Sequence, residues 1–216
     1  MDRKFSSLYR LGGLTGIFSG LLMLASSIWF IFSLSSIFSL PSEERFELIG
    51  RIGVFHGIGV LTLILLIPTL LAGYGLLSSE AGTRSVLGAT FAVSWLTIEL
   101  IAHCSQTAPL NELSELANGS ATASIRESLY TLWIEWGEAL FMTGAFLCAL
   151  LAICYGSALG TWGNPIAMYL FFVSIIAFPV GVILNMDIQL HILTRGIAFL
   201  FLGGILLQAP AEEELL

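Results

Sequence analysis

From Leu11 to Leu40 the chain passes thirty residues without one Asp, Glu, Lys or Arg. About 20 apolar residues already suffice for a helix to cross ~30 Å of hydrocarbon. Water is absent there, so the backbone must satisfy its own N–H and C=O groups, which a helix does. Further apolar runs follow, and six spans are predicted: 11–40, 52–77, 86–104, 129–155, 166–186 and 188–208. A polar loop over 105–128 is expected to hold a short helix around "LNELSELA", and 209–216 forms an acidic tail. The expectation is an all-α protein, a six-transmembrane-helix bundle in a single transmembrane domain.

Composition agrees with that class. Only 11% of the 216 residues are charged and 56% are hydrophobic, against about 25% charged in soluble domains. The lipid bilayer is the expected surrounding. The net charge of -7 and the lack of any basic run argue against nucleic acid as a partner. Cys104, Cys148 and Cys154 give neither a disulfide framework nor a metal-type C-x-x-C. "MDRKFSSLYR" before an apolar run has the look of a secretory leader. The run is far longer than the ~7–15 residues of a leader's apolar core, so an uncleaved first span is expected. Arg3, Lys4 and Arg10 ahead of that span favour a cytoplasmic N-terminus, and six spans then return a cytoplasmic C-terminus.

Placed by depth on that topology, the ionisable residues gather in one half of the membrane. His56 lies about a turn into span two, with Arg51 at its mouth; Glu99 and His103 close span three. Glu135 and Glu138 stand early in span four, and Asp187, His191 and Arg195 run from the last turn into span six. Residues three or four apart share a helical face. Glu99 and His103 therefore line up with Trp95 one turn earlier, Glu135 pairs with Glu138, and Asp187, His191 and Arg195 form a drifting stripe. Each ionisable group costs roughly 2.5–3.5 kcal/mol at mid-bilayer on insertion scales, so such groups turn inward and pair. The pattern predicts a polar cup open to the non-cytoplasmic side.

Several chemistries fit the cup. Arg51, Glu99, Glu135, Glu138 and Arg195 are the candidate ligand-binding residues, for a small polar or amphipathic ligand. His56, His103, Asp187 and His191 are a candidate ligand set for a divalent transition metal. With one open position such a metal would activate water, making the protein an intramembrane hydrolase of a lipid-like substrate. Proton relay through Glu135 or Glu138, or haem held between two histidines, stays open as well. So does the plainer reading, in which Trp133 and Trp136 mark Glu135 and Glu138 as interfacial and the remaining charges form structural ion pairs. In that case the chain is an accessory subunit of a larger membrane complex. A transporter is less favoured, because no inverted repeat is visible.

Small residues suggest how the helices meet. Gly12, Gly16 and Gly20 recur every four residues in span one, and Gly53 and Gly57 do so in span two. Such faces allow close backbone approach within the bundle or in a homodimer. "GRIGVFHGIG" follows no strand, which argues against a phosphate loop. Pro68 and Pro179 are expected to bend spans two and five.

"YRLGGLTGIFSGLLML" at the start, a glycine-rich span after the "PSEER" loop, "WLTIELIAH" in span three and the long polar loop before span four carry a family resemblance. In these features the chain resembles the bacterial and archaeal integral membrane family labelled domain of unknown function 4386. The resemblance implies a six-helix bundle and carries no activity with it.

Overall fold

The computed structural model describes residues 4–33, 49–107, 123–184 and 189–209. These form five helices and no strand: α1 (Lys4–Ser33), α2 (Ile49–Thr107), α3 (Ala123–Thr161), α4 (Pro165–Ile183) and α5 (Gln189–Gln208). Four of them, α1, α2, α3 and α5, are long and apolar enough to cross a membrane, and α4 contributes a shorter apolar helix over Pro165–Gly181. The expected spans 11–40 and 129–155 lie on α1 and α3, although 34–40 fall outside the described residues. The polar stretch of the expected 105–128 loop is helical at both of its ends, through Thr107 and from Ala123. The proposed "LNELSELA" helix and most of the acidic tail lie outside the described residues.

The 59-residue α2 is not a straight rod. His56 and His103 would lie about 70 Å apart along one helix axis at 1.5 Å per residue. Instead their rings touch, with the two Nδ1 atoms 3.0 Å apart. The chain reverses at Gly82, whose φ of 28° and ψ of -100° are not helical. Residues with a Cβ rarely adopt positive φ, whereas glycine does so readily. The expected boundary over "SSEAGTR" is therefore a single-residue break between two arms, 49–81 and 83–107, that pack as a hairpin. A second reversal sits at Trp162–Asn164, where Gly163 has φ 94°. There Asn164 Oδ1 accepts from the Ala167 N–H at 3.0 Å, and Pro165 takes the first helical position, where its missing N–H costs nothing.

Without water to drive apolar surfaces together, helices in a bilayer associate through close packing and inter-helix hydrogen bonds. The α1–α5 contact is of this kind and runs antiparallel. A Cβ at Gly20 would come within 2.6 Å of the Gly196 carbonyl, and one at Gly203 within 2.7 Å of the Gly13 carbonyl. On its neighbouring side α1 meets the first arm of α2. Gly12 abuts Ala72 and the Pro68 carbonyl, and Thr69 Oγ1 donates to the Gly12 carbonyl at 2.8 Å. The glycine stripe in span one thus packs inside the bundle. Gly57 does not share that role, since its missing side chain would meet nothing within 4 Å among the described residues. Large apolar side chains such as Phe18, Ile64, Val93, Phe146 and Ile176 face outward.

These contacts generate a pair of outcomes. Gly203→Ala forces a methyl group between two backbones and is expected to destabilise the protein by about 1–3 kcal/mol. Gly204→Ala enters open space and is expected to be neutral or to stabilise by up to about 1 kcal/mol, from helix propensity. Thermal unfolding of the two variants in one detergent separates them.

Candidate functional site

The second arm of α2 turns one buried face toward the rest of the bundle. Along it lie Trp95, Glu99, His103 and Gln106, all buried and spaced by three or four residues so that they stack on one side of the helix. Helix α5 answers with His191, Arg195 and Phe199, also buried. Trp95 stacks on Phe199, with ring centroids 5.8 Å apart and planes within 5° of parallel. One turn on, Arg195 Nη1 donates to Glu99 Oε1 at 2.7 Å and Nη2 to Glu99 Oε2 at 3.3 Å. Steps of four along both antiparallel helices then bring His191 to the level of His103.

The ion pair is taken almost wholly from solvent, with Glu99 1% and Arg195 5% exposed. The guanidinium carbon lies 4.9 Å from the centre of the Trp95 ring, a favourable cation–π position. Cys148 of α3 lies close enough to interact with both charges. A bidentate Arg–carboxylate fork is the strongest form of such a pair.

Helix α3 makes room for these polar groups by omitting side chains. A Cβ at Gly144 would stand 2.7 Å from Glu99 Cγ, one at Gly137 would overlap the Gln106 amide, and on the facing helix one at Gly88 would overlap the Tyr155 ring. The three pairs Gly88·Tyr155, Glu99·Gly144 and Gln106·Gly137 share one antiparallel register, stepping 11 and then 7 residues along each helix. Gly59, on the first arm, does the same for the His103 ring. Gln106 Nε2 reaches the Trp133 carbonyl at 3.0 Å, and Trp133 Nε1 reaches the Ser105 carbonyl at 3.3 Å.

The three histidines sort into two settings. His56 and His103 share a hydrogen bond between Nδ1 atoms, which requires one ring to donate and the other to accept. Phe141 walls this pair, stacked on His56 at 5.9 Å and edge-on to His103 at 4.9 Å. His191 donates from Nδ1 to the Ser174 carbonyl of α4 at 2.8 Å, leaving Nε2 as an acceptor when the ring is neutral. Among the described residues no three His, Cys, Asp or Glu side chains gather closely enough to hold a metal ion. Asp187 of the candidate metal set lies outside the described residues.

Other candidates stand apart from the cluster. Glu135 and Glu138 are exposed on α3, because Trp133, Gly137, Gly144 and Cys148 occupy the stripe that faces inward. Arg51 is exposed at the start of α2. Gln106, Cys148, Phe141 and the glycines of α3 were not singled out by the sequence. Gln106 continues the Glu99–His103 stripe by three residues and was hidden by ending the span at 104.

Five buried side-chain atoms have no hydrogen-bond partner among the described residues: Ser27 Oγ, Trp95 Nε1, Gln189 Oε1, His191 Nε2 and Arg195 Nε. Three of them, Trp95 Nε1, His191 Nε2 and Arg195 Nε, lie on the faces just described. Ser27 belongs to the same level, since the antiparallel α1–α5 register that pairs Gly20 with Gly196 carries Ser27 to the start of α5. No family model, curated protein or solved structure matches the chain.

Removing one partner of a buried ion pair strands the other, at a cost of about 3–5 kcal/mol. Glu99→Leu and Arg195→Leu are each expected to show that loss, and the double variant is expected to lie closer to wild type than either. Denaturant unfolding of the four proteins in one detergent completes the cycle.

Proposed function

We propose that the chain crosses the membrane six times, with both termini cytoplasmic, and that its buried polar cluster binds a small polar or amphipathic ligand. Two arms of α2 add one crossing to the four long helices, and the 19-residue α4 adds another, its ~28 Å just matching the hydrocarbon thickness. The Gly82 and Trp162–Asn164 reversals then belong to one side, which the 3.3 Å bond from Arg84 Nη1 to the Ser157 carbonyl supports. The polar cluster belongs to the other half of the bundle.

The observation that carries ligand binding is that Arg195 Nε, Trp95 Nε1 and His191 Nε2, on one facing pair of helices, are buried without a hydrogen-bond partner among the described residues. Buried polar groups in folded proteins nearly always have partners, and intramembrane ionisable residues mark functional sites more often than structural ones. An ion pair kept for stability alone would be poorly chosen, since apolar replacements of similar volume often do as well or better. The metal-dependent hydrolase lacks its ligand set among the described residues, and no particular contact favours the accessory-subunit reading.

Two measurements test this. Single cysteines at Thr83 and Thr161, in a background without the native cysteines, are expected to label from the cytoplasmic side only; labelling from outside reverses the topology. Protein purified in mild detergent is expected to release about one equivalent of a bound organic molecule on extraction and mass spectrometry. The Glu99→Leu/Arg195→Leu double variant is expected to release none. Identical extracts from the two proteins would remove the ligand-binding reading.

A further inference from the structure

The unpartnered atoms also say what kind of group the site takes. Arg195 Nε–H and Trp95 Nε1–H can only donate, and both are buried. His191 has its Nδ1–H committed to the Ser174 carbonyl, so its Nε2 offers a lone pair. The Glu99 carboxylate is already held by both Nη atoms of Arg195. The Cys148 thiol also hydrogen-bonds with the guanidinium, and the cluster is charge-balanced before any ligand arrives. Arg195 Nε–H, Trp95 Nε1–H and the His191 Nε2 lone pair stay unpartnered among the described residues. A bare anion would leave a net negative charge in the bundle interior, and a cation would meet two donors.

Building on the ligand-binding reading above, we propose that the site binds the head group of a weak oxygen acid together with one proton. One acid oxygen accepts from Arg195 Nε–H and Trp95 Nε1–H. The other shares a proton with His191 Nε2, as an acid O–H donating to the ring. The balance is one acid anion and one proton taken up per site, with no change in net charge. The same group seated without its proton would add a second negative charge to the Glu99–Arg195 pair.

The charged and titratable groups around this position are few. From the second arm of α2 come Glu99 and His103, from its first arm His56 behind His103, from α3 Cys148 and from α5 Arg195. Helix α4 contains no charged residue, and the charges of α1 are confined to its first two turns. Phe178 of α4, 5.8 Å from the His191 ring, supplies an apolar wall.

The test uses the full chain in neutral detergent with three probes: acetate, octanoate and inorganic phosphate, beside methyl octanoate as a control that cannot supply the proton. At neutral pH and low buffering, at least one acid is expected to raise the unfolding temperature while taking up about one proton per molecule bound, read with a pH indicator. Octanoate labelled at its carboxyl carbon is expected to report a protonated or hydrogen-bonded acid by NMR. His191→Leu is expected to weaken the effective acid about tenfold or more, as loss of one buried hydrogen-bond partner does, and to abolish proton uptake. Preference for octanoate over acetate assigns a fatty-acid source and the reverse a short water-soluble carboxylic acid. Phosphate, which stays anionic after taking up one proton, is expected not to bind, and its binding overturns the charge-neutral reading.

Binding of an acid without proton uptake overturns the proposal, even should His191→Leu fail to fold, because the wild-type reading needs no variant. Equal binding of methyl octanoate, or no binding of any acid, also overturns it. In either case a co-purifying molecule lost from the Glu99→Leu/Arg195→Leu variant would still uphold the ligand site itself.

Discussion

Glu99 and Arg195 have no water to fall back on, and the packing around them follows from that. A carboxylate and a guanidinium cannot be left single inside an apolar bundle. Their 2.7 Å contact fixes α5 against the second arm of α2. Trp95 and Phe199 close over one side of the pair and the histidines over the other. Even the composition of α3 answers to it, since Gly144 stands where any larger residue would displace the Glu99 side chain.

The arrangement explains how a chain with so little polarity keeps one polar centre. Apolar packing alone specifies few distances, because many rotations of one smooth helix on another cost similar energy. A bidentate fork has one geometry. It sets the rotation of α5, and through the α1–α5 glycine contacts it sets the position of α1. The histidine pair does likewise for the two arms of α2, tying residues 56 and 103 at a point far from the Gly82 turn.

Much of this is legible in the sequence. Uninterrupted apolar runs mark where the long helices lie, because burial in hydrocarbon leaves the backbone no alternative, but α1 begins seven residues before the expected span and α3 runs six beyond its own at each end. The buried face of Trp95, Glu99 and His103 followed from spacing, and the inward stripe of His191 and Arg195 did too. What spacing cannot supply is pairing across helices. That Arg195 meets Glu99, and that His56 meets His103 while His191 bonds the Ser174 carbonyl, depends on tertiary register. Depth alone also misplaced Glu135 and Glu138. They stand at a suitable height, but Trp133 and Gly137 hold the inward positions of that stretch. Gly137 and Gly144, seven residues apart on one face, were the readable sign that α3 is hollowed to receive something large.

The ladder of Gly88·Tyr155, Glu99·Gly144 and Gln106·Gly137 makes volume a shared property of two helices rather than of either one. At each rung one chain position is full because its opposite is bare. A residue can grow on one helix only as its counterpart shrinks on the other, so neutral drift at these rungs must travel in compensating couples. Chains of this lineage would then carry the α2–α3 interface in their variation itself, as three anticorrelated sizes at fixed offsets of 11 and 7. A rung that reversed, with the bulk crossing from one helix to the other, would preserve the fit while handing the acidic or amide group to a new backbone.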